Sequence, residues 1–264
     1  MAGNTDSRTP ADDMPYFGPM LARAYASHWL EHSTSLVRYY PEIARRFGIS
    51  GGCLADVACG EGTFALAMAR RHWRVWGVDR SSDMLALAEA KAKRSRLSVV
   101  WLRQDMRELR LPEPVDLITC WYNSLNYLLC EEDLAKTLCA MADALLPGGW
   151  LLFDVYTLHG LAMEWANRAW VAVDADDCFV ASQTHYEPRT RRAEVTFTGF
   201  LRVRNRYVRF DEHHHHQGYP WPVLRRLLVD AGFHTRGRFI IPTMAKPDRW
   251  SKRIYVAAQK RKGS

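Results

Sequence analysis

Paired cysteines and long apolar runs are both scarce in this sequence of 264 residues. The six cysteines form no C-x-x-C pair and mostly lie in apolar strand or helix patterns, so neither a zinc site nor a disulfide framework is indicated. No segment has the length of a membrane span, and no N-terminal run is apolar enough for a signal peptide. We therefore expect a cytoplasmic protein without a bound metal.

Recognisable RNA-binding modules are also missing, although the chain is basic. The formal net charge is +7, and much of the excess lies in residues 189–209 and in the tail 260–262. Such a surface suits nucleic acid, an acidic substrate or simple solubility. Arg202, Arg204 and Arg206 mostly alternate with apolar residues, as on the exposed face of a strand, which favours solubility. We expect no nucleic-acid partner.

One stretch, residues 54–64, organises the rest of the chain. A short apolar strand carries Asp56, breaks into a tight turn at Gly60 and Gly62, and is followed at once by helix-forming residues. This arrangement lets backbone N–H groups approach a nucleotide-like ligand closely. The G-x-G-x-x-G spacing of a dinucleotide site is absent, and an acid before the turn repels phosphate. The stretch therefore favours a ligand with positive charge.

This acid followed by G-x-G resembles the first motif of the class I S-adenosylmethionine-dependent methyltransferases. The resemblance continues in order and spacing, because a second strand pattern ends in Asp79, 23 positions after Asp56. Residues 121–129 resemble the corresponding stretch of glycine and amino-sugar N-methyltransferases. Further strand patterns of the same fold lie at residues 99–102, 114–120 and 145–154.

The resemblance implies a Rossmann-like α/β fold with a seven-stranded, mostly parallel sheet and helices on both faces. Short alternating patterns joined by turn residues predict, in addition, an antiparallel β insertion after strand five. We expect one of the last two core strands to run antiparallel. The expected divisions are a flexible N terminus at 1–15, a helical segment with the cofactor-binding core at 16–155, a substrate-capping insertion at 156–217, and the last helix and strands at 218–264.

The resemblance also implies that S-adenosylmethionine is the cofactor and S-adenosylhomocysteine the product. Asp79 would then accept hydrogen bonds from both ribose hydroxyls, and Met84 would contact the adenine. Tyr25 would close over the cofactor, with packing inside a helical core as the alternative. The residues expected to bind the cofactor are Tyr25, Asp56, Ala58, Gly60, Gly62, Asp79, Arg80, Met84, Asp105, Met106 and Cys120.

The segment after the fourth strand is expected to form the floor of the acceptor pocket, because ligands bind at the carboxyl ends of parallel strands. Tyr127 stands where some relatives have a histidine base, and it would either hydrogen-bond or merely pack. Asn123 and Asn126 would orient the substrate or cap the following helix. The residues expected to bind substrate are Trp121, Tyr122, Asn123, Asn126, Tyr156 and His185. The candidates for a catalytic base are Tyr127, His159 and His214.

Four consecutive histidines at 213–216 suggest either a metal site or a strand. Successive residues of a strand alternate between its faces, so at most two of these side chains point inward together. Glu212 supplies only loose spacing for a further metal ligand. We therefore expect histidines that line a strand, and no metal.

The sequence thus predicts a methyltransferase that acts on a small molecule, with an amine favoured over a hydroxyl. An amine must arrive unprotonated but does not strictly need a base, whereas a hydroxyl needs one. The alternatives left open are O-methylation, methylation of tRNA or rRNA, and a catalytically silent regulatory protein that binds the cofactor. The identity of the acceptor is not predicted, and a homo-oligomer is left open.

Overall fold

The computed structural model describes residues 16–262, so the N-terminal segment expected to be flexible, 1–15, lies outside the described residues. In the described part of the chain, no helix is both long and apolar enough to cross a membrane. The α-helices are α1 Pro19–His28, α2 Leu30–Phe47, α3 Thr63–Ala69, α4 Ser82–Ser95, α5 Glu131–Asp143, α6 Leu158–Glu164 and α7 Trp221–Asp230. The strands are β1 Cys53–Val57, β2 Arg74–Asp79, β3 Val100–Arg103, β4 Val115–Cys120, β5 Leu145–Tyr156, β6 Arg168–Ala175, β7 Cys178–Glu187, β8 Arg192–Val203, β9 Arg206–Gln217, β10 Phe233–Phe239 and β11 Arg253–Lys260.

The main sheet has seven strands in the order β10-β11-β5-β4-β1-β2-β3. All run parallel except β11, which is antiparallel to both of its neighbours. The expected fold class is therefore confirmed. The chain moves outward from β1 through β2 to β3 and then returns to the other side of β1 with β4. Ligands of open α/β sheets bind in the crevice at such a reversal.

Helices cover both faces of this sheet. On one face α2 and α3 bury apolar side chains such as Leu36, Ile43 and Met68. On the other face α5 and α7 bury Leu134 and Leu228, among others. Each fully buried leucine or isoleucine stabilises the fold by roughly 1.5–3 kcal/mol. The two layers hold the strand ends in fixed positions, which is what a ligand site at those ends needs.

The four remaining strands form a second, antiparallel sheet in the order β6-β7-β8-β9, which confirms the expected β insertion after strand five. Its inner face packs on α1, where Leu21 and Ala24 meet Val180, Leu201 and Phe210. Helix α1 also contacts α4 of the core. The first helix therefore lies between the insertion and the part of the core that follows β2.

The turn after β1 depends on residues in the left-handed backbone region. Gly60 and Gly62 have φ angles of 55° and 79°, which glycine adopts without steric cost. A Cβ atom on Gly62 would also lie 2.6 Å from the ring of Trp101 and 2.9 Å from Ala88. Glycine at 62 thus lets the turn pack tightly under Trp101 of β3.

Candidate active site

A cavity of about 440 Å³ lies where the carboxyl ends of β1, β2 and β4 meet α1 and the insertion. The core contributes the turn 56–61, the end of β2 at Asp79 and the segment 121–124. The insertion contributes inward-facing residues of β7, β8 and β9, including His214 and His216. One continuous space therefore joins the glycine turn to the histidines.

The carboxylate of Asp79, at the end of β2, is oriented by backbone hydrogen bonds. Its Oδ2 accepts a hydrogen bond of 2.8 Å from the N–H of Gly60, and its Oδ1 accepts one of 2.9 Å from the N–H of Ser81. An ionised carboxylate has about four lone-pair sites, so the two hydrogen bonds leave room for a ligand. Burial raises the pKa of Asp79, and the backbone N–H groups of Ser81 and Gly60, together with Arg80, oppose this shift.

Asp56 lies deeper in the sheet and is 2% exposed. Its Oδ1 accepts a hydrogen bond of 2.8 Å from the hydroxyl of Thr119 on β4. Burial raises the pKa of Asp56 to about 7; the Thr119 hydrogen bond opposes the shift and the charge of Asp79 adds to it. A cation bound nearby would favour the ionised form of this carboxyl group.

Asp105 is tied into an ion-pair network. Arg107 donates to both of its oxygens, at 3.0 and 2.8 Å, and reaches Asp133 on α5 at 2.9 Å. Although burial opposes the shift, hydrogen bonds from Arg107 lower the pKa of Asp105. The network fixes the short turn at residues 106–108, and Met84 and Met106 line the cavity beside it.

Tyr127, His214 and Glu212 form a hydrogen-bonded chain at the other end of the cavity. The Tyr127 hydroxyl is 2.9 Å from His214 Nδ1, and His214 Nε2 is 3.1 Å from Glu212 Oε2. Each Glu212 oxygen also accepts a hydrogen bond of 2.9 Å, one from the N–H of Phe17 and one from the N–H of Gly18. A carboxylate in this setting acts as acceptor, so His214 donates from Nε2 and accepts from Tyr127 at Nδ1.

The protonation of this chain follows from its burial. His214 is 1% exposed, and burial lowers its pKa while the Glu212 carboxylate opposes the shift. Burial also raises the pKa of Tyr127 well above its usual value. At neutral pH the histidine is therefore neutral and the phenol keeps its proton.

Aromatic rings from the start of the described chain cover this group. Tyr16 packs edge-on against Tyr127 and His214, with ring centroids 5.0 and 4.9 Å apart. Phe17 packs in the same way against His214 and Tyr25, at 4.9 and 5.2 Å. Rings at these positions exclude water from the hydrogen-bonded chain, which strengthens its electrostatic interactions.

A second polar network reaches the cavity from β5 and β11. Arg253 lies 3.4 Å from the fully buried Asp154 and donates a 3.0 Å hydrogen bond to Oδ1 of Asn123. The amide nitrogen of Asn123 is 3.1 Å from Nε2 of His216. Trp165 packs beside this histidine at 4.5 Å. The network joins the core sheet to β9 across the cavity.

Comparison with known proteins shows the family of this chain. The model of a family described as a methyltransferase domain matches residues 54–149. A putative methyltransferase from Geobacillus sp. (strain WCH70) is 31% identical over 209 residues, covering 78% of this chain and 84% of the relative. The chain belongs to the class I S-adenosylmethionine-dependent methyltransferases. S-adenosylmethionine is its cofactor, and its acceptor is a small molecule.

Two further known proteins resemble this chain. A dTDP-3-amino-3,4,6-trideoxy-alpha-D-glucopyranose N,N-dimethyltransferase from Streptomyces venezuelae is 31% identical over 147 residues, covering 55% of this chain and 60% of the relative. The crystal structure of a S-adenosylmethionine-dependent methyltransferase from Clostridium acetobutylicum ATCC 824 has a TM-score of 0.81 at 24% identity, covering 91% of this chain and 97% of that one. The second comparison shows a shared fold.

The core end of the cavity suits the cofactor of this methyltransferase. The tight turn at Gly60 lets a ligand approach the backbone, Asp79 offers free lone pairs for hydroxyl groups, and Asp56 provides negative charge toward a cation. The sequence-predicted residues that line the cavity are Tyr25, Asp56, Ala58, Gly60, Asp79, Arg80, Met84, Asp105, Met106, Trp121, Tyr122, Asn123, Tyr127, Tyr156 and His214.

Two predicted histidines of this methyltransferase do not reach the cavity. His159 lies on α6 and packs against Trp250, with ring centroids 5.4 Å apart. His185 is exposed on β7 and hydrogen-bonds Asn167 at 2.7 Å, while its neighbour Thr184 lines the cavity. Because successive strand residues face opposite sides, a difference of one position decides which side chain points inward. The structure thus gives no support to His159 as a base or to His185 as a substrate ligand.

Three other residues predicted to bind a ligand lie outside the cavity lining and support the surrounding backbone. Asn126 is fully buried, accepts a hydrogen bond from the N–H of Tyr156 at 3.0 Å and donates to the carbonyl of Gln217 at 2.8 Å. Cys120 is buried in β4, and Gly62 lies beneath Trp101. None of the three lines the cavity among the described residues. They hold the strand ends and the turn in place.

Several cavity residues were not predicted from the sequence. Tyr16 and Phe17 form an aromatic doublet before the Gly-Pro that opens α1, and this doublet was an available signal. His216 lines the cavity and Glu212 holds His214 from outside its lining; both lie at alternate positions from His214 on β9, so period-2 alternation would have placed them on the same face. Arg253 at the start of β11 carried no comparable signal.

Proposed function

We propose that this methyltransferase transfers the methyl group to an amine nitrogen of a small molecule, and that the amine binds beside Tyr127. The chain Tyr127–His214–Glu212 in the cavity is the observation that carries this proposal. The named Streptomyces relative, an N,N-dimethyltransferase of an amino sugar, supports the choice of an amine.

The basicity of His214 favours nitrogen over oxygen. A neutral amine attacks a methyl group without first losing a proton. It has to release a proton only when the new nitrogen–carbon bond forms. A hydroxyl requires a base strong enough to activate it. Because burial lowers the pKa of His214, this histidine is a weak base. Such a base can accept a proton that an ammonium group releases more readily than it can remove a proton from an alcohol.

The described side chains then have defined roles. Bound S-adenosylmethionine supplies an electrophilic methyl group on a sulfonium. Tyr127 accepts the proton of the methylated nitrogen on its oxygen while passing its own proton to His214 Nδ1. Glu212 stabilises the imidazolium that results, since it already accepts from Nε2. Tyr16 and Phe17 keep water away from this transfer. The products are the N-methylated acceptor, S-adenosylhomocysteine and one proton.

We also propose that the core end of the cavity binds the cofactor and that the insertion selects the acceptor. Asp79 would bind the ribose, and Asp56 would lie toward the positive end of the cofactor. Residues from the insertion, including Thr184, Phe197 and His216, would contact the acceptor. This division assigns catalysis to the junction between the core and the insertion.

The test is a product assay with S-adenosylmethionine that carries a deuterated methyl group. Matched acceptors are needed: amino sugars and cyclic amines on one side, and phenols and catechols of similar size on the other. We expect the mass increase of a labelled methyl group on the amines. Labelling of the hydroxyl compounds alone would overturn N-methylation and establish the O-methyltransferase alternative.

A further inference from the structure

His216 lies in the cavity wall but takes no part in the proton transfer through His214. It is 1% exposed, and its ring lies 4.2 Å from Tyr127 and 4.5 Å from Trp165. Its Nε2 contacts Asn123, whereas its buried Nδ1 has no hydrogen-bond partner within residues 16–262. Buried polar atoms are nearly always hydrogen-bonded, so a polar atom of a bound molecule or an ordered water would complete the hydrogen bonding of this nitrogen.

The hydrogen-bond network fixes which nitrogen of His216 carries the proton. The guanidinium of Arg253 only donates, so the Asn123 atom that it reaches at 3.0 Å must be the amide oxygen. The other amide atom, 3.1 Å from His216, is therefore the NH₂ group, which only donates. His216 accepts at Nε2. A neutral ring then carries its proton on Nδ1.

The surroundings keep this ring neutral. His216 is enclosed by aromatic side chains and by Asn123, and burial holds its pKa well below the usual range. His214, two residues earlier on the same face of β9, has the opposite arrangement, because it donates from Nε2 to Glu212. The cavity thus holds two neutral histidines with opposite tautomers.

We propose that His216 binds an oxygen atom of the methyl acceptor through its Nδ1–H, and that Arg253 and Asn123 hold it in the donating tautomer. The oxygen is an uncharged acceptor such as a ring ether or a carbonyl, since the charge of Arg253 is already balanced by the buried Asp154. The binding role rests on the proposed function of this cavity, whereas the tautomer does not. Asn123 acts as a positioning residue.

Nuclear magnetic resonance reads the tautomer directly. The full chain, with isotopically labelled histidine nitrogens and saturated with S-adenosylhomocysteine, is recorded at neutral pH by long-range proton–nitrogen correlation. The chain has 10 histidines, and loss of one signal set in His216→Phe assigns His216. We expect the Nδ1–H form for His216 and the Nε2–H form for His214. An Nε2–H or doubly protonated His216 would overturn the proposal.

Asn123→Asp provides a second, independent variant. Aspartate also tolerates the left-handed backbone at this position, where φ is 54°. One carboxylate oxygen would pair with Arg253 and the other would accept from His216, so the proton must move from Nδ1 to Nε2. We expect the tautomer of His216 to invert while that of His214 stays unchanged. An unchanged His216 spectrum would show that Asn123 does not position the ring.

Matched cyclic amines test the binding role. Cyclohexylamine has no oxygen, whereas 3-aminotetrahydropyran and 4-aminotetrahydropyran replace one ring methylene by an ether oxygen. We expect one of the ethers to be methylated with a kcat/KM about tenfold above that of cyclohexylamine, and this ratio to fall to about one in His216→Phe. Equal rates in the unaltered enzyme, or a preference that survives in the variant, would overturn the binding role. Absence of methylation of all three amines would instead contradict the proposed N-methylation, while the tautomer result stands.

Discussion

Asp79 lies at the end of β2 with both carboxylate oxygens oriented by backbone N–H groups. If it also binds the ribose, Asp79→Ala should weaken S-adenosylmethionine binding by roughly 1.5–3 kcal/mol, the range for hydrogen bonds to charged groups. Calorimetric titration measures this loss. Glu89→Ala is the control, because the ion pair of Glu89 with Lys93 on α4 is exposed to solvent. Equal affinity of the two variants would contradict the placement of the ribose.

Tyr127 is expected to act in the chemical step rather than in cofactor binding. Tyr127→Phe keeps the ring packed against Tyr16 but removes the hydroxyl that contacts His214. We expect kcat to fall about 100-fold, at the lower end of general acid–base effects. Affinity for S-adenosylhomocysteine should change little. Tyr207→Phe, which removes a hydroxyl on the exposed end of β9, serves as the control, and a kcat equal to that control would rule out the proton transfer.

Asp56 should make cofactor binding depend on pH. Its pKa is raised to about 7 by burial, so the unliganded protein holds a proton there below that pH. A cationic cofactor favours the ionised carboxylate, and the dissociation constant should therefore rise as pH falls below 7, approaching tenfold per pH unit. The raised pKa of Asp79 acts in the same direction. Asp56→Asn should reduce the dependence of the dissociation constant on pH, which calorimetry measures. An unchanged pH dependence in this variant would show that other groups cause it.

The raised pKa of Asp56 also affects the stability of the unliganded protein, which should fall as the pH rises whereas cofactor affinity increases. An acid whose pKa is higher in the folded than in the unfolded state stabilises the fold only while it is protonated. For Asp56 this contribution is complete below about pH 4, the unfolded value, and is lost as the pH rises through about 7. The cofactor thus binds best where the unliganded site is least stable, which is a common property of binding sites.

At the scale of elements, the parallel core was predictable because each strand carries its own local signal. Apolar runs are followed or ended by an acidic side chain at Asp56, Asp79 and Asp105, and the glycine turn follows the first of them. The limits shifted little, as for β3, which was predicted at 99–102 and spans Val100–Arg103. Local patterns of this kind survive folding because they match the period of the element.

The acceptor side was less predictable, because its contacts join distant parts of the chain. Glu212 binds the backbone at Phe17, nearly two hundred residues earlier, and Arg253 reaches Asn123 from the last strand. No local pattern encodes such pairs. The antiparallel insertion adds a second difficulty, since a shift of one residue exchanges the two faces and moves His185 outward while Thr184 points inward.

The turn between β1 and α3 gives a test at this scale. Gly62→Ala would place a Cβ atom at positive φ and against Trp101, so we expect the free energy of unfolding to fall by about 1–3 kcal/mol. Gly51→Ala is the matched control, because the space around Gly51 is open within 4 Å among the described residues and its φ is not positive. Urea unfolding compares the two. Equal stability would show that Trp101 and the turn relax without cost.

For the whole molecule, the cavity is the place where three parts meet. The core sheet provides Asp56 and Asp79, α1 and the residues before it provide Tyr16 and Tyr25, and the antiparallel sheet provides His214. Hydrogen bonds from Phe17 and Gly18 to Glu212 tie the second part to the third. A ligand that touches all three should therefore stabilise the fold as a unit.

This stabilisation can be measured. At a concentration of S-adenosylhomocysteine about 100 times its dissociation constant, a ligand that binds only the folded protein raises the free energy of unfolding by about 2.7 kcal/mol. In Asp79→Ala we expect the affinity for S-adenosylhomocysteine to fall about ten- to hundredfold. At the same ligand concentration the free energy of unfolding of this variant should then rise by only about 1.4 to 0.4 kcal/mol. Urea unfolding with and without the ligand measures both gains. An equal gain in the two proteins would mean that the ligand binds away from the end of β2, whereas a gain in neither would mean that it also binds the unfolded chain or does not bind at all.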